Sequence, residues 1–217
     1  MKKGSLSMNE VVVRPAKPSD ARRGAHLLFV TFKRTASFII GLGDEKRAIN
    51  ILTQLFKLPG HRLSYEFTNI VMNNGHVIGL CTCFPGRRLV KLDRHLGRLI
   101  LKQYHVRGKL AVIQRGWPLI FIKESASDEY FLSSLAVKKS FRGQGVGTQI
   151  LVKVEEKAKQ ASLEKISLMV AIENQDARRF YERNGYKIKA IHLESNKRVH
   201  HLGPGYQRMV KKLLHEE

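Results

Sequence analysis

Hydrophobic and polar positions in the second half of the chain follow two periods, which predict strands and helices in turn. Strand patterns occupy Tyr130–Val137, Lys165–Ala171, Lys187–His192 and Tyr206–Lys212. Helical patterns occupy Thr148–Gln160 and Gln175–Asn184, and Gly185 ends the second one as a C-terminal cap does. Strands that alternate with helices in this way predict a mixed α/β fold.

The first half of the chain predicts the same mixture. Val11–Arg14 has a short strand pattern, and helical patterns follow at about residues 21–34 and 44–57. Tyr65–Met72 and Val77–Phe84 are rich in strand-forming residues and flank Asn73-Asn74-Gly75-His76. Two such runs around an Asn-Gly turn predict a β-hairpin.

Length and composition favour one domain. The chain has 217 residues, of which 43% are hydrophobic, and this is enough for a sizeable core. We expect residues 1–9 to form a flexible tail and residues 10–217 to form a single domain. No apolar run approaches the ~20 residues that a membrane span needs. The lack of an apolar stretch behind Met1 and the presence of only two cysteines, Cys81 and Cys83, predict a cytoplasmic protein.

The charge of the chain is unusual. Its 39 Lys and Arg residues exceed its 18 Asp and Glu residues and give a net charge of +21. Such a balance favours anionic partners, for example nucleic acid, an acidic membrane surface or a phosphorylated ligand.

Residues 86–125 concentrate this charge, with 10 basic and 2 acidic side chains. They predict a basic helical insertion in the domain, and its helix is amphipathic. The basic face carries Arg87, Lys91, Arg94, Arg98, Lys102 and His105. The opposite, apolar face carries Leu89, Leu92, Leu96, Leu99 and Ile100.

Three glycines stand between the strand at Tyr130–Val137 and the helix that follows it. The segment reads Arg142-Gly143-Gln144-Gly145-Val146-Gly147. Glycines let a backbone approach a ligand closely, and free amides at a helix N-terminus bind phosphate oxygens. The dinucleotide pattern G-x-G-x-x-G fails, because Thr148 or Ile150 stands at its last position. A triphosphatase loop fails too, because Gly147 rather than Lys precedes Thr148.

This loop resembles the acetyl-CoA loop of the GNAT N-acetyltransferase superfamily, whose pattern is Arg/Gln-x-x-Gly-x-Gly/Ala. Arg142, Gly145 and Gly147 match the pattern. The stretch from Asn174 to Tyr186 resembles a second family pattern, N-x-x-A-x-x-[FL]-Y-x-x-x-G-[FY], without a break. The resemblance implies the GNAT acyl-CoA N-acyltransferase fold, which is a central mixed, mostly antiparallel sheet with helices on both faces.

The resemblance also implies an activity: an acetyl group passes from acetyl-CoA, the co-substrate, to a primary amine by direct attack, with no metal. The glycine loop would hold the pyrophosphate, a strand backbone would pair with the pantetheine arm, and Asn174 would bond to that arm. The implied cofactor-binding residues are Leu135, Ala136, Val137, Arg142, Gly143, Gln144, Gly145, Val146, Gly147, Thr148 and Asn174.

Tyr181 is the general acid that the resemblance implies, since its hydroxyl would protonate the departing CoA thiolate. The general base stays open. Some family members use a carboxylate on the strand that corresponds to Lys165–Ala171, but Met169 stands at its expected position here. The substitutes are Asp128, Glu129, Glu173 or an ordered water.

The acceptor is a protein or peptide amine or a small-molecule amine, and the positive charge favours an anionic or phosphate-bearing one. Nucleic acid is a less favoured partner, and a homodimer stays open. The competing hypothesis is a binding module, either a catalytically silent GNAT fold or a basic protein that binds nucleic acid. The intact motif residues, Arg142–Gly147, Asn174 and Tyr181, favour the enzyme.

Overall fold

Seven strands of the described residues form one sheet. The computed structural model of the chain describes residues 11–118, 122–194 and 202–213. The tail predicted at residues 1–9 lies outside these ranges. The strands are β1 (Val11–Pro15), β2 (Thr68–Asn73), β3 (His76–Pro85), β4 (Tyr130–Val137), β5 (Lys165–Ala171), β6 (Lys187–Leu193) and β7 (Gly205–Lys212).

The strand order is β1-β2-β3-β4-β5-β7-β6. β4 and β5 are parallel, and each of the other neighbouring pairs is antiparallel. β4 and β5 pair only from Tyr130 with Ile166 to Leu132 with Leu168, and then they separate. Among the residues that the structure describes, the second half of β4 therefore has a sheet partner on one side only, which is β3.

Helices cover both faces of the sheet. They are α1 (Ala21–Thr31), α2 (Lys33–Thr35), α3 (Glu45–Phe56), α4 (Leu89–Leu101), α5 (Val106–Gly116), α6 (Val146–Gln160) and α7 (Gln175–Arg183). α1, α3 and α5 pack on the face that carries Leu80 and Ala136. α6 and α7 pack on the face that carries Ile78 and Leu168. The predicted mixed sheet with helices on both faces is confirmed.

Three boundaries differ from the predicted ones by two or more residues, for local reasons. The first helix breaks at Phe32, whose φ of −140° and ψ of 41° are not helical, and a π-helical turn at Ala36–Ile40 continues α2. Tyr65–Phe67 forms a 3₁₀ turn instead of the start of a strand, because the Ser64 hydroxyl caps it by accepting the Glu66 N–H. α6 begins at Val146 because Gly145 is left-handed, with φ of 78°.

The segment between β3 and β4 contains two helices, whereas the sequence pattern predicts one. α4 buries Leu89, Leu92 and Ile100, as the pattern predicts, and its basic face is exposed. α5 is the helix that the pattern misses, and it buries only Val112 fully. The two ends of the segment meet, because the Gly86 N–H donates to the Glu129 carbonyl at 2.7 Å.

A buried ion pair connects the start of β4 to β7 across β5. The Arg208 Nη2 donates to both carboxylate oxygens of Glu129. The Ala126 N–H and the Ser125 hydroxyl donate to Glu129 Oε2 at 2.8 Å and 3.2 Å. Burial opposes the charge of Glu129, yet these donors hold the pKa of its carboxyl below the ordinary value. The pair thus fixes the paired end of β4 and β5.

We predict that Glu129→Gln lowers the free energy of unfolding by about 3 kcal/mol, because it leaves Arg208 buried without its counter-charge. Since the folded pKa is lowered, the stability that the pair contributes is present above about pH 4.3 and is lost as the pH falls through the folded value. Urea titrations at several pH values measure both effects. The adjacent, exposed Asp128→Asn is the matched control, and an equal loss in both variants contradicts the prediction.

Candidate active site

The separation of β4 from β5 opens a cleft of about 1340 Å³. Its walls come from the second half of both strands, the π-helical turn, the glycine loop and α7. Leu135, Ala136, Val137, Arg142, Gly143, Gly145, Gly147, Thr148, Asn174 and Tyr181 line it. The structure therefore brings together all but two of the site residues predicted from sequence, and Gln144 and Val146 are the two that do not line the cleft.

The backbone of β4 presents hydrogen-bonding groups to the cleft that the sheet does not use. The Lys138 N–H donates to the Ile78 carbonyl at 2.8 Å, which makes these two residues a hydrogen-bonded pair of the β3–β4 ladder. Because such pairs alternate, Ala136 also bonds to β3, whereas the N–H and C=O groups of Leu135 and Val137 point away from β3. The Arg142 Nε donates to the Val137 carbonyl from that side, at 3.0 Å.

The same strand carries a β-bulge. The pairing shifts between Thr82 with Ser134 and Cys83 with Leu132, so that Ser133 is the extra residue. A bulge leaves its extra residue outside the ladder and redirects its side chain. The bulge lies where β4 leaves β5, and Ser133 lines the cleft.

The glycine loop ends at the N-terminus of α6. Gly143 and Gly145 have φ of 74° and 78°, a conformation that disfavours side chains. The first bond of α6 runs from the Gln149 N–H to the Gly145 carbonyl at 3.1 Å. The amides of Val146, Gly147 and Thr148 therefore have no carbonyl within the helix to bind, and they carry the positive end of its dipole.

Gly147 is the place where the glycine loop contacts α7, the helix of the Asn174–Tyr186 pattern. A Cβ on Gly147 would lie 2.9 Å from the ring of Phe180, so a side chain at this place would displace that ring. Gln144 is exposed, and its Nε2 donates to the Ser140 carbonyl at 2.7 Å. Val146 buries its side chain beneath the helix. Only the backbone amides of these last two residues remain for a ligand.

Asn174 has a structural task in addition to its place in the cleft. Its Oδ1 accepts the Ala177 N–H at 3.2 Å and caps α7. The side-chain oxygen is therefore used within the protein, and the Nδ2 group is the one that Asn174 can offer to a ligand.

Tyr181 is almost buried, with its ring between those of Phe180 and Tyr186. Burial raises the pKa of its phenol above the ordinary value of about 10. Its hydroxyl thus keeps its proton at neutral pH and can act as a donor in the cleft, but not as a base.

Arg62 joins three polar side chains of the cleft wall that the sequence analysis did not identify. Its guanidinium donates to both oxygens of Glu124 at 2.8 Å and 2.6 Å. It also donates to Asp93 Oδ1 at 3.2 Å and to the Ser133 hydroxyl at 3.0 Å. Burial opposes the charge of Arg62, but Glu124 and Asp93 outweigh it and raise its pKa.

Asp93 is the less tightly held of the two carboxylates. Burial raises the pKa of its carboxyl, and Arg62 offsets only part of this effect. Its side chain keeps 40% of its surface exposed, compared with 27% for Glu124. Asp93 and Glu124 are the only two acidic residues in the basic segment 86–125. This isolation is the sequence signal that could have identified them.

The structure separates the base candidates that the sequence left open. Asp128 is exposed, bonds to Lys165 at 2.7 Å and does not line the cleft. Glu129 is enclosed by its ion pair and does not line the cleft either. Glu173 lines the cleft but forms an ion pair with Arg34. Met169 lines the cleft at the β5 position where the resemblance would place a carboxylate.

The described residues contain no group of three or more metal-ligating side chains. Cys81 and Cys83 are buried and unbridged on β3. Among the described residues, no helix is long and apolar enough to cross a membrane.

Comparison with known proteins gives a family match over most of the chain. Residues 46–186 match the model of the acetyltransferase (GNAT) family. The aminoalkylphosphonate N-acetyltransferase of Salmonella typhimurium is 45% identical over 56 residues, which are 26% of this chain and 36% of that protein. The uncharacterized N-acetyltransferase YycN of Bacillus subtilis is 32% identical over 73 residues, 33% of this chain and 47% of that protein. The chain thus spans less than half the length of these curated relatives.

Solved structures share the fold. An N-acetyltransferase from Staphylococcus aureus Mu50 superposes with a TM-score of 0.72 and 18% identity, over 92% of this chain and 99% of that one. A crystal structure of an acetyltransferase gives a TM-score of 0.69 and 23% identity, over 94% of this chain and 100% of that one.

Proposed function

The chain belongs to the acetyltransferase (GNAT) family, and from this premise we propose that it transfers an acetyl group from acetyl-CoA to a primary amine. One observation carries the proposal: the free backbone edge of β4 and the free amides of α6 lie in the same cleft. The first can pair with an extended amide-containing chain, and the second can bind phosphate oxygens. Acetyl-CoA contains both groups.

The pyrophosphate binds at the loop between Arg142 and Thr148. The amides of Gln144 to Thr148 point their donors at the phosphate oxygens, and the guanidinium of Arg142 adds positive charge. The pantetheine arm lies along Leu135 and Val137 as an added strand, with Ala136 between them, and the Nδ2 of Asn174 bonds to the arm. Gly143 and Gly145 give the loop the backbone conformation that it needs.

The reaction is a direct attack. The lone pair of the amine nitrogen forms a bond to the thioester carbon, the C–S bond breaks, and its electron pair leaves with the sulfur. A backbone N–H of β4 near the bulge at Ser133 stabilises the negative charge on the carbonyl oxygen. Tyr181 donates a hydrogen bond to the departing sulfur. Because a thiol has a pKa of about 8.5, well below that of this phenol, Tyr181 keeps its proton and stabilises the thiolate through the hydrogen bond. The thiolate departs with the electron pair of the C–S bond and takes its proton from water.

Asp93 accepts the proton that the attacking nitrogen loses. The nitrogen becomes acidic once its lone pair is bonded to carbon, so a carboxylate with a raised pKa is an adequate acceptor, directly or through a water. Arg62 fixes the position of this carboxylate, and Glu124 holds Arg62. This assignment replaces Asp128 and Glu129, which do not line the cleft. Glu173, which lines the cleft and pairs with Arg34, is the alternative that remains among the carboxylates considered from sequence.

The acceptor that fits the chain best is a primary amine with an acidic group. Its support is the net charge of +21 and the aminoalkylphosphonate that the name of one relative mentions. A protein or peptide amine is the second candidate. The two buried, unbridged cysteines support a cytoplasmic location. The family residues in the cleft make a catalytically silent fold or a nucleic-acid-binding module the weaker hypothesis.

We predict that Tyr181→Phe lowers kcat by about 100-fold and leaves the Kd of acetyl-CoA nearly unchanged, because only the departing sulfur needs the hydroxyl. Release of CoA thiol with a panel of amines, including aminoalkylphosphonates and peptides, measures kcat. Tyr186→Phe is the matched control, since the Tyr186 hydroxyl is buried without a partner among the described residues. Unchanged turnover in Tyr181→Phe rules out the role.

We predict that Asp93→Asn lowers kcat/KM at neutral pH by about 100-fold. We also predict that the variant no longer shows the fall in kcat/KM at low pH that protonation of Asp93 causes in the wild type. The wild-type protein loses activity as the pH falls through the raised pKa of Asp93, because the protonated carboxyl cannot accept a proton. Asp128→Asn is the matched control: it removes the same charge at a position outside the cleft, and it should retain the pH profile of the wild type. An Asp93→Asn profile of the same shape as that of the wild type excludes Asp93 as the base.

A further inference from the structure

The outer face of α5 and its C-cap residue Trp117 carry four large apolar side chains, which we call the α5 stripe. Val106, Leu110, Ile113 and Trp117 are 71%, 63%, 49% and 59% exposed. At about 100° per residue, these four positions fall within an arc of about 60°. Scattered exposed apolar residues need no explanation, but four on one narrow face of one helix indicate a contact surface.

The inner face of α5 holds the helix in this orientation. Val112 is buried against the core that also contains Ile40 and Leu52. The Arg115 Nη1 donates to the Phe38 carbonyl at 2.9 Å, and its guanidinium lies 4.8 Å from the Phe38 ring centre. These contacts lie on the side of the helix opposite to the stripe, so α5 cannot rotate to bury it without losing them.

Positive charge surrounds the stripe. Arg107 and Lys109 flank it on α5 and are exposed. On and beside α4, which precedes α5 in the chain, all five Arg and Lys residues of the basic face are exposed. A helix with an apolar face and flanking Lys and Arg residues is typical of proteins that lie on an anionic lipid surface.

We propose that the α5 stripe docks on the surface of an anionic phospholipid bilayer. Charge disfavours a second copy of the chain, because two molecules of net charge +21 would bring the same basic surroundings together. Nucleic acid does not use a stripe of Val, Leu and Ile, since its binding rests on charge and on aromatic stacking. The contact stays at the surface, because no described helix can cross a membrane.

Docking would bring the cleft close to the lipid surface. α5 packs on the π-helical turn Ala36–Ile40, and Ala36, Ile39 and Ile40 of this turn line the cleft. A single helix, α5, therefore lies between the stripe and this wall of the cleft. The docking itself does not depend on the proposed chemistry.

The single tryptophan makes the proposal directly measurable, because Trp117 is the only one in the chain and belongs to the stripe. We expect the full-length protein to sediment with vesicles that contain phosphatidylglycerol, and the Trp117 emission to shift to the blue as the ring leaves water. Vesicles of phosphatidylcholine alone should produce neither effect. Each Lys or Arg near the lipid surface adds about fivefold to the affinity through its attraction to the anionic headgroups. Salt screens this attraction, so higher salt should weaken the binding.

Two pairs of variants separate the apolar and the charged parts. The double variant Leu110→Gln with Ile113→Gln should lower vesicle affinity at least tenfold. The control Val152→Gln, at an exposed apolar position of α6, should not.

The double variant Arg107→Gln with Lys109→Gln tests the charged part. It should lower vesicle affinity more than Lys187→Gln with Lys189→Gln, which removes the same charge from exposed positions of β6. Circular dichroism checks that each variant is folded.

Four results would overturn the proposal. The first is no sedimentation with phosphatidylglycerol vesicles at low salt. The second is a doubled mass in solution with Trp117 already blue-shifted, which would mean that a second copy covers the stripe. The third is an equal loss of vesicle affinity in the stripe variants and in the Val152→Gln control. The fourth is an equal blue shift with RNA in place of vesicles.

Discussion

β4 and β5 run side by side for three residue pairs and then separate, and every other feature of the site follows from this separation. A parallel pair that stayed together would use the outward N–H and C=O groups of Leu135 and Val137 in the ladder. Because the strands part, those groups face an open cleft, and the α6 N-terminus stands at its far end. A ligand with an amide-containing arm and a pyrophosphate satisfies both sets of free groups at once.

The separation needs a fixed point at each end. At the paired end, the buried Glu129–Arg208 ion pair connects β4 to β7 across β5. At the open end, the Phe180 ring of α7 lies against Gly147 of α6. The segment between β3 and β4 adds the third wall, since α4 brings Asp93 to Arg62 beside the bulge at Ser133. The polar groups of the cleft thus come from parts of the chain that are distant in sequence.

The extent to which the sequence predicts this arrangement depends on how local each signal is. β4 and β5 lie at their predicted bounds because a period of two is a local property, and the two motifs place the glycine loop and Tyr181 in one cleft. α5 was missed because its large apolar residues point to solvent, opposite to the usual rule. Arg62, Asp93 and Glu124 were missed because only the tertiary fold brings them together. In the sequence alone Glu129 is a candidate base, because its ion-pair partner Arg208 lies 79 residues away.

The central claim is that the free backbone of β4 and the first turn of α6 bind acetyl-CoA. Amide hydrogen exchange at residue resolution, measured with and without saturating acetyl-CoA, tests it most directly. The account predicts that the amides of Leu135 and Val137, and those from Val146 to Thr148, exchange at least tenfold more slowly with the ligand. Ala136, already bonded to β3, should change much less. Unchanged exchange at Leu135, Val137 and the α6 amides would contradict the account.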